Sequence, residues 1–139
     1  MTYIPESLRQ QVTERAKGRC EYCYLHQDDT YFSHEIDHIY AEKHGGGTIG
    51  ENLCLACADC NRYKGSDLCS VDPQTNTVIS LYHPRRDQWH EHFRLLDTGI
   101  IEPLTGTGRV TERVLRFNRV DLVAECARLM TLGKYENLI

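Results

Sequence analysis

Two Cys-x-x-Cys knuckles, Cys20-Glu21-Tyr22-Cys23 and Cys57-Ala58-Asp59-Cys60, constrain this chain more than any other feature. A gap of two residues lets both thiolates of a knuckle converge on one ion, and two knuckles complete a tetrahedral all-sulfur zinc site. Such a site has no open coordination position, so it is structural, and its binding free energy is part of the folding free energy. Cys54 stands at the same gap before Cys57, so spacing alone leaves a second choice for the later pair. Cys69 and Cys126 have no neighbour at that spacing and read as ordinary buried thiols. The seven cysteines are odd in number. Disulfide scaffolds favour even counts, and close pairs in a reducing compartment hold metal more often than they bridge. A thiol oxidoreductase is disfavoured, because no βαβ pattern surrounds either knuckle.

A length of 139 residues suits one domain. The expected division is a single domain over 1–139, with a core at about 18–66 and a C-terminal helical cover at about 84–139. No apolar run is long enough to cross a membrane, and the first residues lack a basic start followed by an apolar stretch. The expected address is cytoplasmic, without a membrane partner.

Periodicity places helices at Pro5–Lys17, Ala58–Lys64, Asp87–Phe93, Thr107–Phe117 and Asp121–Leu132. Strands are expected at Tyr31–Ile39 and Thr77–Tyr82, with a short extended piece at Asn52–Leu55. Gly45-Gly46-Gly47 opens a loop, and Asp72-Pro73-Gln74-Thr75-Asn76 is a turn.

Between the knuckles runs His34-Glu35-Ile36-Asp37-His38-Ile39, then the glycine loop, then Asn52-Leu53, and after the last cysteine Asn61-Arg62-Tyr63-Lys64-Gly65. His38 is a natural general base, since imidazole is the side chain that ordinarily takes up and releases a proton near neutral pH. Asp37 offers a hard oxygen to a divalent ion and Asn61 a neutral one, and two protein ligands leave room for water and substrate. Asn52 also suits a turn and Asn61 a helix start. In a regular strand Asp37 and His38 point to opposite faces, so for both to reach one phosphate the strand must end or bulge there.

The order Asp-His, Asn, Cys-x-x-Cys-Asn from Cys20 to Lys64 resembles the HNH endonuclease family, in the form where asparagine replaces the last histidine. His83-Pro84-Arg85 and Trp89-His90-Glu91-His92-Phe93 are similar to an element of its free-standing members. Ala41 stands near a place where many members have proline. The resemblance implies an α+β fold: a ββα-metal (His-Me finger) nuclease core with a four-cysteine structural zinc, flanked by helices. It implies Asp37 and Asn61 as ligands of a catalytic Mg2+ or Mn2+, His38 as the base, and Asn52 as the residue that holds the loop and orients His38. It also sets the last catalytic residue beside the zinc knuckle. That favours Cys20, Cys23, Cys57 and Cys60 as the Zn2+ ligands.

The implied activity is metal-dependent hydrolysis of DNA phosphodiester bonds, by a monomer or a dimer. A zinc-knuckle module that binds nucleic acid or protein without catalysis is the alternative, but it has no need of Asp37, His38 and Asn61 together. A formal net charge of −4 weakens broad electrostatic attraction to phosphate. Arg62 and Lys64 are the expected phosphate contacts, then Arg85 and Arg86. Arg109, Arg113, Arg116 and Arg119 suit a solvated face equally well. His34 reads as a half-exposed strand residue, and His83, His90 and His92 as packing residues.

Overall fold

The computed structural model describes residues 2–136. The chain divides into two compact units, one running to Leu68 and including His83–Arg86, the other formed by Cys69–Tyr82 and the residues from Asp87 onward. No helix among the described residues is long and apolar enough to cross a membrane.

The first unit opens with helix α1, Glu6–Arg15, preceded by Pro5 at φ −56°. Proline suits this place because the first N–H groups of a helix have no intrahelical acceptor. Leu8, Val12 and Ala16 share a face and pack with Ile4, Ile36, Leu53 and Leu55. Burying each large side chain there contributes about 1.5–3 kcal/mol. The helix stops where Lys17 and Gly18 turn to positive φ. The chain then enters the first knuckle, where the Cys20 N–H donates to the Leu25 carbonyl (2.9 Å) and the Tyr24 N–H to the Cys20 carbonyl (2.8 Å).

Strands β1, Glu35–His38, and β2, Leu53–Ala56, pair antiparallel, with Asp37 opposite Cys54 and His38 opposite Leu53. Helix α2, Ala58–Lys64, follows at once. The order strand, glycine loop, strand, short helix is thus present, in an α+β fold of short antiparallel pairs and helices. The expected strand at Tyr31–Ile39 is shorter than its aromatic content suggests. Its partner offers four residues, so the ladder has nothing for Tyr31 and Phe32 to pair with.

The second unit contains two hairpins and three helices among the described residues. Strands β3, Cys69–Val71, and β4, Val78–Ser80, flank the expected turn, which closes through Asn76 at φ 56°. Helix α3, Trp89–His92, leads into β5, Phe93–Leu95, which pairs with β6, Ile101–Pro103. Helices α4, Gly106–Leu115, and α5, Val120–Thr131, follow. The hydroxyl of Thr105 caps α4 by accepting from the Gly108 N–H at 3.0 Å. Phe93 stacks edge-on with Tyr82 and Phe117, at 5.6 and 5.5 Å between ring centroids. On α5, Leu122, Cys126 and Leu129 are buried as expected. The segment expected as a helical cover therefore also carries a strand pair, whose members are too short for a period-2 pattern to register.

Candidate active site and metal centre

The Sγ atoms of Cys20, Cys23, Cys57 and Cys60 all lie within 4.8 Å of one another, and all four residues are buried. Cys23 and Cys57 stand 3.8 Å apart. Tetrahedral zinc with Zn–S bonds near 2.3 Å sets its sulfurs roughly 3.8 Å apart. The donor set and its spacing therefore fit a structural zinc. Each knuckle folds around its own sulfur: the Cys23 N–H points at Cys20 Sγ (3.5 Å) and the Cys60 N–H at Cys57 Sγ (3.4 Å). Cys57 thereby caps α2. Hydrogen bonds from Cys20, Cys23 and Cys60 hold the Cys57 thiol far below its ordinary pKa, which is the direction that prepares a thiolate ligand. Cys54, the other choice by spacing, stands outside the cluster. It lies on β2 beside the Tyr22 hydroxyl (3.6 Å) and Asp37 (4.0 Å). The first knuckle is tied to β2 in both directions. The Glu21 N–H donates to the Leu55 carbonyl, and the Leu55 N–H donates to the Glu21 carboxylate, each at 2.8 Å.

Beside this cluster, within the same unit, is a cleft of about 520 Å³ whose lining includes Glu35, Asp37, His38, Glu42 and Asn61. Asp37 is buried, and Lys64 Nζ lies 3.4 Å from its Oδ2. Burial raises the Asp37 pKa, and the Lys64 ammonium opposes that rise. β1 ends at His38, which is how neighbours of opposite parity come to share one cleft. His38 Nε2 lies 2.9 Å from the Thr48 hydroxyl and 3.8 Å from Glu42 Oε1. Asn61 donates its amide N–H to the Glu35 carboxylate, so its Oδ1 is the atom available to a cation.

Asn52 is the clamp of the loop. Its Oδ1 accepts from the Tyr40 N–H, and its Nδ2 donates to the carbonyls of Tyr40 and Gly47, all at 2.9 Å. Its own carbonyl accepts from the Ile39 N–H at 2.8 Å. This draws the loop so close that a Cβ on Gly46 would stand 1.7 Å from the Tyr40 carbonyl oxygen. Only glycine fits there. Asn52 thus fixes the segment that follows His38, and it does so through the backbone.

The expected phosphate contacts stand differently. Lys64 is 2 % exposed and is directed at Asp37 and the His38 carbonyl. Arg62 is exposed and paired with Asp59 at 3.1 Å. Arg85 forms an ion pair with Glu21, and burial lowers its pKa to about 10. Arg86 is exposed and donates to the Tyr40 hydroxyl at 2.8 Å. In the second unit, Arg109 forms two 2.9 Å hydrogen bonds to Asp72. His34 Nε2 lies 2.6 Å from the Leu25 carbonyl, while its buried Nδ1 has no hydrogen-bond partner among the described residues. His83 packs edge-on against Tyr40, and His92 Nδ1 lies 2.6 Å from the Thr105 hydroxyl. Sequence reasoning missed Glu42 and Thr48. The only signal for Glu42 is its place four residues after His38, a spacing that means little outside a helix.

Residues 20–67 match the family described as HNH endonuclease. That span begins at the first zinc-type cysteine and takes in β1, the glycine loop, β2 and α2. The chain is also 25% identical over 154 residues to the Septu protein PtuB of Bacillus mycoides (strain KBAB4). The similarity covers 91% of this chain and 52% of that protein, so the chain spans about half the length of its relative.

Proposed function

We propose that residues 1–139 act as one divalent-metal-dependent endonuclease that hydrolyses phosphodiester bonds of DNA. The observation that carries this reading is the single cleft lined by Asp37, His38 and Asn61 in the segment that matches the HNH endonuclease family. Asp37 and the Oδ1 of Asn61 would hold Mg2+ or Mn2+, a hard-oxygen set suited to either. An ion held there would supply charge stabilisation at the phosphate and at the departing 3′ oxygen.

His38 takes the proton from the attacking water. Its Nε2 is turned to the Thr48 hydroxyl and to Glu42, which leaves Nδ1 as the basic atom. Asn52 keeps the loop after His38 in place. The four-cysteine cluster, with a structural zinc, would fix the start of α2, from which Asn61 reaches the cleft. Arg62 and Arg86 are both exposed and would contact phosphate.

The test is cleavage of supercoiled plasmid with added magnesium or manganese by wild type, Asp37→Asn and Asn61→Ala. Cutting that needs the metal and is lost in both variants, with their fold and zinc intact, supports the assignment. A well-folded wild type that binds DNA and cuts nothing with any divalent ion would instead identify a zinc-dependent binding module.

A further inference from the structure

Tyr31 and Phe32 take no part in the cysteine cluster or the cleft chemistry, yet they are held out to solvent as a pair. They are 95% and 69% exposed, with ring centroids 5.0 Å apart and planes at 76°. Single exposed apolar residues are ordinary on protein surfaces. Two adjacent rings on a tied-down loop are a different matter, because the fold fixes the loop and leaves the rings unburied. The loop is tied at several points. The Gln27 N–H donates to the Gly18 carbonyl (2.9 Å), the Thr30 hydroxyl lies 2.9 Å from the Gln27 carbonyl and 2.5 Å from that of Phe32, and His34 holds the Leu25 carbonyl.

The loop also ends at the cleft. Phe32 precedes His34 by two residues, at most about 7 Å of backbone, and His34 and Glu35 line the cleft. Charge alone gives this region little hold on a polyanion. The chain carries a formal net charge of −4, and the cleft sets the carboxylates of Glu35, Asp37 and Glu42 against one arginine, Arg9. Lys64 is paired with Asp37, Arg62 with Asp59 and Arg85 with Glu21. Stacking of a base on an aromatic ring needs no charge and tolerates any sequence. Bases inside a duplex are already stacked and cannot reach such rings.

We propose that Tyr31 and Phe32 form a base-stacking platform beside the cleft, and that the substrate is a nucleic acid single-stranded or locally unpaired next to the bond that is cut. This inference rests on the nuclease reading of the cleft.

The test uses the zinc-loaded protein without magnesium or manganese, a single-stranded oligodeoxynucleotide carrying 2-aminopurine, and the matching duplex. The proposal expects quenching of the 2-aminopurine fluorescence and tighter binding of the single strand than of the duplex. Tyr31→Ala and Phe32→Ala should each weaken single-strand binding on the order of tenfold, with zinc content and thermal midpoint unchanged because both side chains are exposed. Phe32→Trp should keep the affinity and Phe32→Leu should lose it. Equal affinity for duplex and single strand, or alanine variants that bind as wild type does, would overturn the proposal. Full binding by Phe32→Leu would also overturn it, since it would mark the pair as a general apolar contact of the kind a partner protein uses. Plasmid or single-strand cutting, measured in parallel with magnesium, separates the two readings. Cutting with an unchanged KM in both alanine variants removes the platform and leaves the nuclease. Absence of cutting with ring-dependent binding removes the nuclease and leaves the platform.

Discussion

The Lys64 ammonium lies 3.4 Å from the Asp37 carboxylate, and both side chains are almost wholly buried. Removing one partner of a buried ion pair strands the other, at a cost of about 3 kcal/mol or more. Lys64→Met should therefore lower stability by about that amount at neutral pH. Magnesium or manganese should restore part of the loss, because an ion on Asp37 supplies the missing positive charge. Thermal unfolding with and without the metal checks both points. A deficit that saturating metal leaves unchanged would contradict an ion site at Asp37.

Asn52 makes three side-chain hydrogen bonds to the backbone of one loop. At about 1 kcal/mol each, Asn52→Ala should cost about 3 kcal/mol and abolish cutting. Gly46→Ala should do the same by a different route, since its Cβ would meet the Tyr40 carbonyl. Denaturant unfolding measures both. A stable Gly46→Ala protein with full activity would show that the clamp is not needed.

The four clustered thiols should bind one zinc per chain. Chelation, or Cys60→Ser, should remove the metal and unfold the first unit, because zinc binding to such a site is part of its folding free energy. Metal analysis with circular dichroism provides the readout. A metal-free protein with an unchanged unfolding midpoint would contradict a structural role.

In the second unit, the Arg109 guanidinium, then the Gln74 N–H and the Thr75 hydroxyl, hold the Asp72 carboxyl well below the usual carboxylate range. An acid whose pKa falls on folding adds stability that is fully present above its unfolded pKa, about 3.9. That stability is lost as pH falls through the folded value. Asp72→Asn should thus be less stable than wild type by a constant margin from pH 7 to about pH 5, and the margin should shrink below about pH 4. A margin that grows in acid would contradict the pairing.

The two cysteine knuckles, the glycine loop, α2 and the faces of α1 and α5 were legible because each depends on spacing within a few residues. Cys54 against Cys60 could not be separated by spacing. β2 turns Cys54 toward Tyr22 and Asp37, outside the cluster that Cys60 joins. Lys64 read as a phosphate contact because a lysine at a helix end is usually solvated. Here the last turn of α2 lies against β1, and the side chain meets Asp37 instead. Strand length at Tyr31–Ile39 failed for a related reason, since a ladder extends only as far as its partner. Glu42 and Thr48 reach His38 through the fold of a loop, which no local pattern records.

The most direct test of the central claim is nicking of supercoiled plasmid with magnesium or manganese by wild type and by His38→Ala, both folded and zinc-loaded. The account predicts metal-dependent cutting by the wild type and its loss, by a factor of about 10² or more, in the variant. Equal cutting by the two proteins would contradict His38 as the base.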